Sequence, residues 1–347
     1  MAWYLNNAAP FHSDVEQQAQ QYQLTLTKPP GALGQLEQVA TRLAGCQGQV
    51  HPELNNIFIS IFAGDHGVAN QGVSAFPQAV TTEMVKNFAQ GGAAISVLAR
   101  QLKAQFEVVN LGTVFEVAPH TQIINARIAP GTQDFSQVPA MTREQLEEAL
   151  AEGLAAANRA KDMACELFIG GEMGIANTTS ASALAAAYLK MPAADLVGPG
   201  TGLTEDKLPM KAQIIEDAIA LHNAQAPLDQ LQCLGGFEIA GLVGAYIGCA
   251  QMGVPVLVDG FISSAAALMA QAINPSISPW LFYSHQSHEP GHQKVLAALN
   301  AQPLLNIGMR LGEGSGAAVV VSLMQSAVAL HNQMATFSQA GVSEAGE

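Results

Sequence analysis

The chain alternates short apolar runs with longer segments in which apolar residues recur every three or four positions. Residues 10 to 45 follow the helical period, with a break at Lys28-Pro29-Pro30-Gly31. Beyond it Leu33, Leu36, Val39 and Leu43 share one face, while Glu37 and Arg42 can face water. Ile57 to Phe62 (IFISIF) is continuously apolar and rich in β-branched residues, the pattern of a strand buried on both faces of a parallel sheet. Further strands are expected at Phe106 to Leu111, Cys165 to Gly170, Ala193 to Val197, Val254 to Val258, Trp280 to Tyr283 and Leu304 to Ile307. Another strand–glycine junction is expected at Cys233-Leu234-Gly235-Gly236. Helices are expected between them: one with Val80, Met84 and Phe88 on one face, one from Ala93 to Leu102, and one from Ala181 to Leu189. A fourth, from Thr142 to Asp162, has Thr142 as N-cap with Glu144 and Gln145 in its first turn. Residues 113 to 140 follow neither period, and an apolar helix runs from Ala317 to Leu330 before a polar tail, GVSEAGE, expected to fray.

Strand, glycine-rich turn and Ala-rich helix thus repeat along the chain, which is the signature of a parallel sheet with crossover helices. The turns then lie along one edge of the sheet, where α/β proteins bind ligands. Asp65, Glu172, Gly198 to Gly202, Asp259 and Glu313 each follow an expected strand and are expected to converge there.

Composition narrows the classes of function. Of 347 residues 49% are hydrophobic and only 12% charged, with 32 glycines, so the chain can bury a large core and is not disordered. A net charge of −14 leaves no basic surplus to replace the counterions of a nucleic acid, so none is expected as partner. The four cysteines, Cys46, Cys165, Cys233 and Cys249, form no CxxC pair and read as reduced, buried groups of a cytoplasmic protein. The N-terminus has no basic and apolar export pattern. Ile239 to Val258, interrupted by Gln251, Gly253 and Pro255, divides into a helix and a strand rather than a membrane span.

Glu313 is the only acid in the turn that follows Leu304 to Ile307, and Gly312 and Gly314 flank it. Glycine removes the side chains that would block a ligand's approach, so Glu313 is the leading candidate for a catalytic base. An acid at a helix N-terminus is also favoured by the dipole alone. Glu172 sits among Gly171 and Gly174, with Asn177, Thr178 and Thr179 opening the next helix. The loop Gly198-Pro199-Gly200-Thr201-Gly202 lacks both the dinucleotide and the P-loop spacings, yet its amides can cradle a phosphate, with Lys211 as a possible cation. Asp65-His66 is a catalytic pair, two metal ligands, or a turn acid beside a hydrogen-bonded histidine. His285, His288 and His292 invite a metal reading, but Pro290-Gly291 break the helix that would align them, and no metal or other cofactor is expected.

Six segments taken together carry a resemblance: KPPGALGQLE at 28 to 37, AGDHGV at 63 to 68, GEMGIANTT at 171 to 179, LGGFEIAGLVGA at 234 to 245, PVLVDGFISSAAAL at 255 to 268 and MRLGEGSGAA at 309 to 318. In this order, from about residue 20 to 340, they resemble the nicotinate-nucleotide–dimethylbenzimidazole phosphoribosyltransferase family. The resemblance implies a doubly wound, Rossmann-like parallel sheet over residues 51–318, with a smaller helical domain formed by 1–50 and 319–347, in a homodimer. It implies transfer of the 5-phosphoribosyl group of nicotinate mononucleotide to 5,6-dimethylbenzimidazole or a related base, giving α-ribazole 5′-phosphate and nicotinate in cobalamin nucleotide-loop assembly. It places the general base on Glu313 and the second catalytic carboxylate on Glu172. The phosphate side falls on Gly198, Gly200, Gly202 and Lys211, and the base pocket on Phe76, Met84 and Leu311. Gly171, Asn177, Thr178, Asp259 and Ser284 fall at further substrate-binding positions. Some members carry polar residues where Phe76 and Met84 stand, so adenine and other benzimidazoles stay open as acceptors. An NAD-dependent oxidoreductase would need a GxGxxG after the first strand, and AGDHGV offers none. A non-catalytic nucleotide-binding module would have no need of Glu313.

Overall fold

The computed structural model of the chain describes residues 2 to 343. Six strands form one parallel sheet: β1 Ile57–Gly64, β2 Gln105–Gly112, β3 Ile123–Asn125, β4 Leu167–Met173, β5 Val256–Val258 and β6 Leu281–Tyr283. Their order is β3-β2-β1-β4-β5-β6. The chain winds outward from β1 to one side and from β4 to the other, so the sheet is doubly wound and its direction changes between β1 and β4. At that junction Phe62 lies opposite Glu172 and Ala63 opposite Met173. Every residue of β1 is buried, as its unbroken apolar run requires.

Glycine sets how closely the helices cover the sheet. The helix Phe237–Gln251 is buried from Phe237 to Ala250 and packs against the helix Arg143–Asp162, which begins with the Thr142–Gln145 capping box. The two backbones touch: a side chain at Gly153 would meet the Gly241 carbonyl, and one at Gly244 the Leu150 carbonyl. Neither carbonyl can move without its helix. Gly244→Val is therefore expected to destabilise the fold by about 1–3 kcal/mol or more, read as a lower urea midpoint with an unchanged m-value.

At the chain's ends, the helices Ser13–Thr25 and Gln35–Gln47 meet the long helix Ser315–Gln333. Leu26 bridges Thr336, and the Gln23 amide hydrogen-bonds His331 Nδ1 at 2.7 Å. Ser315–Gln333 runs unbroken across residue 318, where a domain boundary was expected. The polar tail falls largely on residues 344 to 347, outside the described residues.

Three expected strands do not form. Leu304 to Ile307 makes only an isolated bridge, Leu305 to His285, and Ile307 is exposed. The amides of Leu304 and Leu305 both donate to the Ser284 carbonyl, so the segment runs past the end of β6 rather than along it. Ala193 to Val197 is a 3₁₀ turn, Ala193–Asp195, entered from Pro192. Cys233-Leu234 closes the helix Pro227–Leu234, whose start signals are Pro227 at its first position and Asp229 in its first turn. Conversely, β3 lies within the stretch that showed no periodicity. The expected division of Ile239 to Val258 into helix and strand is what forms, and among the described residues no helix is long and apolar enough to cross a membrane. All four cysteines are free, but only Cys46 and Cys249 are buried as expected, Cys165 and Cys233 being half-buried; burial pushes the Cys46 thiol up to about 12.

Candidate active site

The site is built at the C-terminal ends of the central strands, beside the β1/β4 junction. Glu172 is the penultimate residue of β4. After it the chain turns through Ala176, in the left-handed region at φ 76°, into the helix Asn177–Leu189. The Asn177 side-chain amide donates to Glu172 Oε2. Across the crevice, Gly312, Glu313 and Gly314 are three successive left-handed residues, with φ of 80°, 62° and 74°. Glycine adopts this freely, whereas Glu313 does so at a cost that its surroundings must offset. Asp259, just beyond β5, does much of this by accepting from the Gly314 amide at 3.1 Å and the Ala317 amide at 2.7 Å. It thereby caps the helix Ser315–Gln333 from another element. A side chain at Gly171 would strike Ile61 and the Glu313 backbone, so this glycine makes room for the turn.

Glu172 and Glu313 face a cavity of about 230 Å³. One wall is apolar: Phe76, Val80, Met84, Ile175 and Leu311. The other end is polar, with Thr178, Gly200, Thr201, Ser287, Glu289 and Arg310. Lys211 stands behind this end, fully buried, its Nζ donating to Thr178 Oγ1 at 2.9 Å and to the Gly198 carbonyl at 3.1 Å.

Burial sets the protonation of these groups. It pushes Glu313 up to about 7, assisted by the negative charge of Asp259. Glu172 is raised well above the carboxylate range by burial, then by Glu238 and Asp259, against the hydrogen bonds from Asn177 and the Glu313 amide. Burial lowers Lys211 to about 8, against the attraction of Glu289. Two carboxyl groups whose burial disfavours the charged form, beside one apolar slot, suit a proton-transfer site.

Of the residues expected from the sequence, Phe76, Met84, Glu172, Asn177, Thr178, Gly200, Leu311 and Glu313 line this cavity. The others stand behind or beside it. Asp259 and Gly171 shape the Glu313 turn, and Gly198 and Lys211 back the polar end. Ser284 is buried, its hydroxyl donating to the Asp259 carbonyl at 3.4 Å and meeting His285 Nδ1 at 3.1 Å. Gly202 is exposed in the loop, in the left-handed region, near Ala75.

Asp65 and His66 are fully buried and absent from the cavity wall. Asp65 accepts from Thr81 Oγ1 at 2.6 Å and the Val114 amide at 2.8 Å, and Thr81 in turn accepts from the Ile175 amide at 3.1 Å. His66 joins Glu238 at 2.6 Å to Ser180 at 2.9 Å. Both therefore hold the segment that follows β4, which is the structural reading of this pair. The three histidines do not converge: His288 is exposed, while His292 accepts from the Ser287 amide and meets Ser264. Burial lowers His292 to about 3. Among the described residues no group of three or more potential ligands could hold a metal ion. Glu289 and Arg310 also line the cavity, and neither carries a sequence pattern of its own that marks it as a site residue.

A family model described as phosphoribosyltransferase matches residues 8–342, which gives the chain its class. The nicotinate-nucleotide–dimethylbenzimidazole phosphoribosyltransferase of Pseudomonas putida strain GB-1 is 55% identical over 345 residues, 99% of this chain and 98% of that one. The Azotobacter vinelandii protein of the same name is 54% identical, covering 99% of both chains. The crystal structure of CobT from Thermus thermophilus superposes with a TM-score of 0.92 at 43% identity, covering 95% of this chain and 99% of that one. The chain belongs to the nicotinate-nucleotide–dimethylbenzimidazole phosphoribosyltransferase family.

Proposed function

We propose that this chain transfers the phosphoribosyl group of nicotinate mononucleotide to 5,6-dimethylbenzimidazole or a related flat azole, with Glu313 as general base. The observation that carries this reading is a buried carboxylate pushed up to about 7 at the edge of an apolar slot. The azole lies between Phe76, Met84 and Leu311, with its N–H toward Glu313. As its other ring nitrogen forms a bond to C1′ of the ribose, the C1′–pyridinium bond breaks and its electron pair returns to the nicotinate nitrogen. The azole proton passes to the Glu313 carboxylate, and attack from the opposite face turns the β-nucleotide into an α-riboside.

The nucleotide's phosphate sits at the polar end, against Thr178 and the Gly198 to Gly202 loop. The N-terminus of Asn177–Leu189 and the Lys211 cation favour an anion there. Burial holds Glu172 well above the ordinary carboxylate range, which disfavours its charged form. Positive charge developing on the sugar favours its ionisation, so it stabilises the transition state more than the ground state. Phe76 and Leu311 are more than half exposed at the mouth, which supports a homodimer whose second copy covers the base. The terminal helices form a smaller domain beside the sheet, and the enzyme works in the cytoplasm on small soluble substrates without a cofactor.

The test is a product assay with purified protein, nicotinate mononucleotide and 5,6-dimethylbenzimidazole, read by mass and by anomeric NMR. Free nicotinate with an α-riboside phosphate is the expected result. No product with this base or with a panel of benzimidazoles and purines would overturn the reading.

A further inference from the structure

Three carboxyl groups line the cavity: Glu172, Glu289 and Glu313. Glu172 already has a donor at each oxygen, Asn177 Nδ2 at Oε2 and the Glu313 amide at Oε1, the latter at 3.4 Å. Glu313 faces the slot in which the azole lies. Glu289 differs from both. It is only 8% exposed, and its Oε2 is buried with no hydrogen-bond partner among the described residues. A buried carboxylate oxygen left without a donor is costly, and since Glu289 itself lines the cavity, a ligand can bring the donor its carboxylate lacks.

The ligand's chemistry narrows which group that is. The phosphate and the carboxylate of nicotinate mononucleotide are acceptors, and its pyridinium nitrogen carries no hydrogen. Only the ribose hydroxyls donate. Glu289 lies where those hydroxyls fall if the phosphate rests on the glycine loop: its Oε2 packs against Gly198, and the Gly200 amide faces the carboxylate. Burial raises Glu289 above the ordinary carboxylate range, against the attraction of Lys211 and Arg310. We propose that Glu289 is a substrate-positioning residue whose carboxylate accepts a hydrogen bond from a ribose hydroxyl, holding C1′ between the leaving pyridine and the incoming azole. This rests on the transfer reaction and phosphate placement given above.

The test is a cycle of kcat/KM values for the wild type and Glu289→Ala, each with nicotinate mononucleotide and its 2′-deoxy and 3′-deoxy analogues. Intrinsic differences in sugar reactivity cancel in the cycle. One of the two deoxy analogues is expected to cost the wild type about 10–100-fold more than it costs the variant, the worth of a hydrogen bond to a charged group. Glu289→Gln keeps the shape and still offers an oxygen, so it should recover part of the loss. It serves in the same cycle if the alanine variant does not fold. Losses that simply multiply for both hydroxyls would overturn the role of Glu289, and so would a Gln variant with higher affinity for the nucleotide. Absence of any α-riboside from the wild type would instead overturn the transfer reading itself.

Discussion

Glu313→Gln is expected to lower kcat by about 10²–10⁴-fold while leaving the affinity for nicotinate mononucleotide nearly unchanged. The amide keeps the size and the hydrogen-bonding oxygen of the carboxylate but cannot take the azole proton. Because burial pushes Glu313 up to about 7, the wild-type rate should rise with pH through about 7 and then level off. The Gln variant should lack this limb. The same shift predicts a gain in stability. An acid whose folded pKa lies above its ordinary value of 4.5 costs the fold its ionised form. The cost is absent below about pH 4.5 and fully present above about pH 7. Glu313→Gln should therefore melt higher than the wild type at pH 8, by up to about 3 kcal/mol, and at the same temperature at pH 4. A variant inactive yet more stable only at the alkaline end separates loss of the base from loss of the fold. Full activity in this variant would sink the general-base role.

That Glu313 was legible from sequence while Glu289 was not has a physical reason. Three consecutive left-handed residues need glycine wherever they can have it, so the turn leaves a trace, Gly312 and Gly314, on either side of the acid. Glu289 comes to the cavity through the packing of the β6 loop against the 198–200 loop, a long-range contact that local spacing does not encode. Strands behaved likewise. IFISIF could only be satisfied by burial on both faces, whereas Leu304 to Ile307, with the same local pattern, reaches the sheet edge only past the end of β6, in the single Leu305–His285 bridge. Asp65 and His66 show the limit of reading residue types. Adjacent acid and imidazole after a strand look catalytic, but Thr81, Val114, Ser180 and Glu238 take up their polar atoms beneath the site. What the sequence pattern carried best was the parallel sheet with crossover helices, because repeated strand–turn–helix units return the chain in the same direction; the doubly wound order was implied only by the family resemblance.

Lys211→Met is expected to raise the KM for nicotinate mononucleotide by about 100-fold, the upper worth of a charge-assisted contact, with a much smaller effect on kcat. Methionine replaces the stem of the lysine but supplies neither the charge nor the donors to Thr178 and Gly198. Burial lowers the Lys211 ammonium to about 8, so its charge disappears as pH rises through that value. Together with the Glu313 limb near 7, kcat/KM for the nucleotide should follow a bell with its maximum between about 7 and 8. The Met variant should keep the acid limb and lose the alkaline one. Its folding is a fair control: a base whose folded pKa is lowered costs the fold its charged form below about pH 8, and the substitution removes that cost. A melting temperature at pH 7 no lower than that of the wild type, beside a raised KM, would assign the effect to the phosphate seat. If KM and the alkaline limb both stayed as in the wild type, Lys211 would serve only to tie Thr178 to the Gly198 loop, and exposed Arg310 would be the cation that meets the phosphate.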